Sequence, residues 1–183
     1  LMEMFWIPSD AKMGELRPEA QVWLPDVQVL FARERTESEK GLVLAAKGSH
    51  NAESHNHNDV GHFVLSLDGQ PGIIDIGRET YTRQTFSAQR YQLLFARGLG
   101  HNAPVVNAIE QAAGSQYRAT SVRFDQKDFG PCLAMNLEKA YPPKAGIRSL
   151  HRDFELHRGP DPHVIVRDSF ELVGPQAKIV VPM

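Results

Sequence analysis

Residues 54–63 read Ser-His-Asn-His-Asn-Asp-Val-Gly-His-Phe, a dense set of groups that carry protons or bind metals. In an extended segment, side chains two apart point the same way, so His55, His57 and Asp59 are predicted to face one place. Eight histidines in 183 residues make a chance His-x-His common, so the pair says little alone. Two more acceptors strengthen it. Asp75 stands between Ile74 and Ile76, where a buried carboxylate needs a partner, and His101 lies on a separate segment. Two histidines and a carboxylate with an open fourth position form an ordinary zinc set, and ligands from separate segments need the fold to bring them together.

The other reactive residue types read as structural. His62 heads a strand and could line the same pocket, though the sheet margin or solvent is the expected place; His50, His151, His157 and His163 lie near strand ends or turns and are expected on the surface. Ser49 and Ser54 have no Gly-x-Ser-x-Gly elbow, and no glycine-rich phosphate loop occurs. Cys132, the single cysteine, follows Gly-Pro and is expected to be a small core residue; it cannot form an internal disulfide.

The elements that must hold these groups read as β-structure. Val27, Val29 and Phe31 alternate with polar or intervening residues, charged residues 33–40 follow as a turn, and 41–47 form a short buried strand. Residues 62–67 run into Asp68-Gly69, a hairpin signal because both central turn positions need positive φ, and 72–77 are the returning strand. Between residues 78 and 97 the period becomes helical, with Tyr91, Leu94 and Phe95 on one face; this is predicted to be a loop with a short helix. Strands at about 115–125, 132–139, 147–157 and 163–172, punctuated by Pro and Gly, point to an antiparallel β-sandwich.

Length fits one domain: 1–20 as a lead-in or linker, with Pro8, Gly14 and Pro18 and no sustained period, then the sandwich over 21–183. A net charge of -2 and 42% hydrophobic residues give no global field for nucleic acid. No run has the length of a membrane span, and no signal peptide is visible. The chain opens on Leu1 and ends in an apolar run, Lys178 to Met183, that reads as a strand with no partner after it; the sequence is therefore read as part of a longer protein.

The run His55-Asn56-His57-Asn58-Asp59-Val60-Gly61-His62-Phe63, then Asp68-Gly69, Ile74-Asp75-Ile76-Gly77, Tyr81, Arg90-Tyr91 and His101-Asn102-Ala103-Pro104 resembles the heparinase II/III-like polysaccharide lyases. The likeness spans about 22–172, is strongest over 49–111, and extends more weakly to Arg152 with Val166–Phe170. It implies the C-terminal β-sandwich of a two-domain protein whose other domain, an N-terminal α/α toroid, brings the catalytic tyrosine. It also implies that His57, Asp75 and His101 hold a site-supporting zinc ion, that His55 is the sandwich's catalytic residue, and that the substrate is an acidic polysaccharide or oligosaccharide. Asn56 and Asp59 are expected in supporting roles, Arg78 and Asn102 near substrate. The implied location is periplasmic or secreted.

Two other classes compete. A non-catalytic carbohydrate-binding or structural domain would keep the zinc for stability. A cupin-like metal oxygenase would place a carboxylate ligand within about six residues of His-x-His, and Val60 to Leu67 contain no Asp or Glu.

Overall fold

A computed structural model describes residues 19–36, 40–77, 79–174 and 177–183. Residues 1–18 of the expected lead-in, 37–39 of the expected turn, and Arg78 lie outside the described residues.

Thirteen strands are present among the described residues: β1 (Gln21–Leu24), β2 (Val29–Arg33), β3 (Leu42–Lys47), β4 (His50–Asn51), β5 (Phe63–Leu67), β6 (Gln70–Ile73), β7 (Val105–Val106), β8 (Gly114–Arg118), β9 (Thr120–Lys127), β10 (Gly130–Asn136), β11 (Ile147–His157), β12 (His163–Leu172) and β13 (Ile179–Val180). A five-stranded sheet runs β1-β2-β3-β5-β6 and a four-stranded sheet β12-β11-β10-β9, with all pairings antiparallel. The protein is an all-β sandwich.

The alternation of apolar residues explains the layering. Leu30 and Ala32 of β2, Leu44 and Ala46 of β3 and Phe63 of β5 turn inward from the first sheet. They meet Leu133 and Met135 of β10 and Leu150, Phe154 and Leu156 of β11. Phe63 and Phe154 touch across the interface, ring centroids 5.5 Å apart, and Trp23 stacks on Phe124 at 5.7 Å. Burying an aliphatic or aromatic side chain contributes about 1.5–3 kcal/mol, so this seam is the main source of stability.

The Asp68-Gly69 turn forms as expected, with φ of 51° and 75° at its two central residues. Strands β11 and β12 span the predicted residues, because long uninterrupted alternation between strong turn signals leaves little freedom of boundary. Three expectations are corrected. The strand returning from the hairpin ends at Ile73, since Asp75 turns its carboxylate onto the Gly77 N–H at 2.7 Å and takes the backbone out of the ladder. Residues 84–100 contain four separate 3-10 turns, Gln84–Phe86, Arg90–Gln92, Leu94–Ala96 and Gly98–Gly100; Leu94 is exposed while Phe95 is buried, so no common helical face exists. The strand expected at about 115–125 is two, β8 and β9, broken at Ala119, and the terminal apolar run forms β13, which joins β7 through Ile179↔Val106 and Val180↔Val105.

Candidate functional site

The segment 49–62 links β3 and β5, neighbouring inner strands of the first sheet. Its ends are closed by backbone bonds from Gly61 N to Lys47 O, 2.8 Å, and from Lys47 N to His62 O, 3.0 Å. Residues 54–61 are turns and bends, not an extended segment, so period-two alternation does not set their directions. His55 sits at φ 58°, in the left-handed region, with its side chain exposed. Asp59 diverges from the histidines and pairs with Lys47 Nζ at 2.7 Å, which also reaches Glu53 at 3.3 Å. Burial lowers the Lys47 pKa, but attraction from Asp59 and Glu53 outweighs it and holds the ammonium charged. Ser49 Oγ donates to Glu53 and is thereby occupied.

Below this loop the structure brings His101, Asp75 and His62 together. Their ligand-capable atoms lie within 4.8 Å of one another, the only such trio among the described residues. His101 Nδ1 is 2.8 Å and His62 Nε2 3.2 Å from the same oxygen, Asp75 Oδ2. Burial works against ionisation of Asp75, yet the hydrogen bonds from His101 and His62 outweigh it and hold the carboxyl far below the ordinary carboxylate range. An ionised carboxylate only accepts, so both facing nitrogens carry protons. His62 Nδ1 in turn accepts the Asn102 N–H at 3.0 Å. Both ring nitrogens of His62 are thus engaged, whereas His101 Nε2 is buried without a hydrogen-bond partner.

His57 is not part of this trio. Its ring stacks on His101, centroids 5.1 Å apart at 27°, and meets the edge of Phe95 at 5.5 Å. Burial first, then repulsion from His101, lowers its pKa below the ordinary value, which favours the neutral ring with a lone pair. The expectation that His62 sits at the sheet margin or in solvent is corrected: it is partly buried and oriented on Asp75. The signal that could have found it is its position, at the entry to β5 beside the hairpin that delivers Asp75.

Asn102, expected near substrate, is buried instead. Its amide nitrogen donates to Phe63 O at 2.7 Å and Ile74 O at 3.1 Å, fastening β5 to the segment that carries Asp75. Arg152 of β11, fully buried, donates to Asn102 O at 2.8 Å and Gly61 O at 2.9 Å, and its other nitrogens grip Asp168. Gln111 exchanges two bonds with the Val60 backbone and also accepts from Asn51. These buried polar groups hold the loop from beneath; no local motif marks them, because Arg152 and Gln111 reach the loop and the Asn102 backbone across 50 or more residues.

Above the trio, His55 lines a cleft of about 390 Å³ with Ser54, Asn56, Thr85, Phe86, Ser87, Arg90 and Tyr91. Asn56 supports it: its amide donates to His57 O at 2.9 Å and its carbonyl oxygen accepts from Tyr91 OH at 3.2 Å. The remaining histidines are elsewhere, with His157 stacked between Phe129 and His163. Cys132 is not in the core; it lies half-buried on the outer face of the second sheet, opposite Glu155.

A family model described as Heparinase II/III-like, C-terminal, matches residues 11–177. A comparison with curated proteins gave no match.

Proposed function

The chain belongs to the heparinase II/III-like C-terminal family, and from that premise we propose that it is the β-sandwich part of a lyase that cleaves uronic-acid-containing polysaccharide or oligosaccharide by β-elimination. The observation that carries the reading is the two-layer arrangement of the histidines. His55 is exposed at a polar cleft, while beneath it His62 and His101 face one ionised carboxylate and His57 stacks on His101.

β-Elimination removes the proton on C5, α to the uronate carboxylate, and expels the oxygen on C4. That proton is barely acidic while the carboxylate carries its charge, so the site must neutralise the carboxylate and offer a base. His55, free in the cleft, serves as the base or as the donor that neutralises the carboxylate. Arg78 remains a proposed partner of a substrate carboxylate or sulfate, through a fork that accepts such oxygens in pairs.

The donors beneath fit a zinc ion on two observations: imidazole nitrogens of His101 and His62 converge on one oxygen of Asp75, and the lowered pKa leaves His57 neutral. His57, Asp75 and His101 would hold it. When bound, the ion supplies fixed positive charge that ties the segments bearing these residues and so steadies the loop presenting His55.

The other half of the site is proposed to come from an α/α toroid. Ile74, Ile76, Tyr81, Phe86, Leu94 and Leu99, on the segments that carry Asp75 and one wall of the cleft, are exposed apolar residues suited to a domain interface. A polymer substrate places the protein in the periplasm or outside the cell. No helix among the described residues is long and apolar enough to cross a membrane.

The test is incubation of the intact protein with heparan sulfate, alginate and other uronate polymers, following the ultraviolet absorbance of the unsaturated uronate product. His55→Ala should cut product formation to a small residual rate. Product formation unchanged by His55→Ala would assign the chain to the accessory class, and a purified protein without bound transition metal would remove the zinc.

A further inference from the structure

We propose that Arg90 is a positioning residue: it fixes the backbone that presents His55 to the cleft, and acts on the reaction through His55. This inference rests on the lyase reading for its chemistry, and on geometry alone for the hold itself.

The guanidinium of Arg90 is spent on backbone. One terminal nitrogen donates to Thr85 O at 3.1 Å, and the other to His55 O at 3.2 Å and Asn56 O at 2.6 Å. An arginine that received a substrate carboxylate would keep its fork open; this one closes it on three carbonyls from two segments. The carbonyls of His55 and Asn56 receive no backbone N–H among the described residues. Residues 54–57 are outside any strand ladder, and His55 holds a positive φ, a conformation that strains a residue bearing a side chain. Charge-assisted bonds to that residue's own carbonyl and to the next one offset the strain and select the conformer.

The neighbouring residue extends the same hold. Tyr91 OH bonds Asn56 Oδ1, and Asn56 Nδ2 bonds His57 O, so the turn Arg90–Gln92 secures the backbone of both His55 and His57. The two walls of the cleft, residues 54–56 and 85–91, are thereby one unit joined through Arg90. A lysine cannot replace it, because a single ammonium does not span Thr85 on one side and two successive carbonyls on the other.

The experiment uses the intact protein and the variants Arg90→Ala, Arg90→Lys, His55→Ala and His55→Ala/Arg90→Ala, with heparan sulfate and alginate as separate probes. Misplacing a reacting group by about 1 Å costs on the order of a hundredfold. The expected result for Arg90→Ala is a fall in kcat of about tenfold to a hundredfold with KM changed by less than about threefold. Free guanidinium should restore part of it, and Arg90→Lys should resemble Ala. On the His55→Ala background, removing Arg90 should change the residual rate by less than about twofold, since the two act as one unit. A full additive loss on that background, or a rise in KM with kcat intact, would overturn the proposal by giving Arg90 its own contact with substrate.

A second measurement is independent of substrate. Amide hydrogen exchange should quicken at residues 54–57 in both Arg90 variants while β11 and β12 keep their protection; unchanged exchange at 54–57 overturns the hold. If no uronate polymer yields unsaturated product with the unaltered protein, the lyase reading fails, and exchange still decides whether Arg90 fixes the loop.

Discussion

Arg152 and Asp168 stand opposite each other in the β11–β12 register, joined by two hydrogen bonds of 2.7 and 2.6 Å, and the same guanidinium reaches the carbonyls of Gly61 and Asn102. One buried side chain thus connects the second sheet to the ends of both site segments. Removing one partner of a buried ion pair leaves the other uncompensated. Arg152→Met or Asp168→Asn should destabilise the fold by roughly 3–5 kcal/mol, measured by urea unfolding. A loss below about 1 kcal/mol would reduce the pair to a surface-like contact.

His62 provides a sharper test of how the protons are arranged. With Nδ1 accepting from Asn102 and Nε2 facing Asp75, both of its ring nitrogens are engaged, and the proposed zinc site gives it the role of orienting the carboxylate. His62→Gln should weaken zinc binding about tenfold to a hundredfold with stoichiometry kept at one ion per chain. His101→Ala should eliminate binding. Calorimetric titration of the metal-stripped protein distinguishes the two, and loss of stoichiometry in His62→Gln would make His62 a ligand.

Acid should loosen the approach to the site. Burial opposes ionisation of Glu110, but bonds from Arg97 and the Leu99 N–H outweigh it, so its folded pKa lies below the ordinary value. Glu53 is likewise lowered, with Ser49 and Lys47 outweighing burial. A carboxyl whose folded pKa is depressed binds fewer protons folded than unfolded. Its contribution is complete above the unfolded value of about 4.3 and is lost as pH falls through the folded value. Melting temperature should therefore drop below about pH 4. Glu110→Gln should lower it at neutral pH and flatten the acid slope; an identical slope would remove Glu110 from the account.

Gly100 precedes His101 and has no room for a side chain. A β-carbon there would collide with the Leu94 carbonyl oxygen and lie 2.8 Å from Ile76 Cδ1. Gly100→Ala should cost about 1–3 kcal/mol and shift the His101 imidazole signals in a nuclear magnetic resonance spectrum. Unaltered stability and signals would show that the 98–100 turn does not set the position of His101.

Much of the fold was legible because it rests on local pattern. Alternation of period two with Pro and Gly punctuation located β11 and β12, and Asp68-Gly69 located the hairpin that brings Asp75 toward His101. The pattern failed where side chains compete with the ladder. Asp75 ended β6 early by bonding Gly77, and the polar residues of 54–61 fold back on Lys47, Arg90 and Gln111 instead of extending.

By itself, the sequence determined the β-sandwich class, the family, and the residue types gathered for the site, since composition, alternation and motif order are properties of the chain. Only the tertiary structure decided which nitrogens face Asp75, that Asn102 is a fastener, and that Arg90 serves backbone. Those assignments depend on hydrogen bonds between residues 26 to 40 positions apart, whose directions no local period encodes.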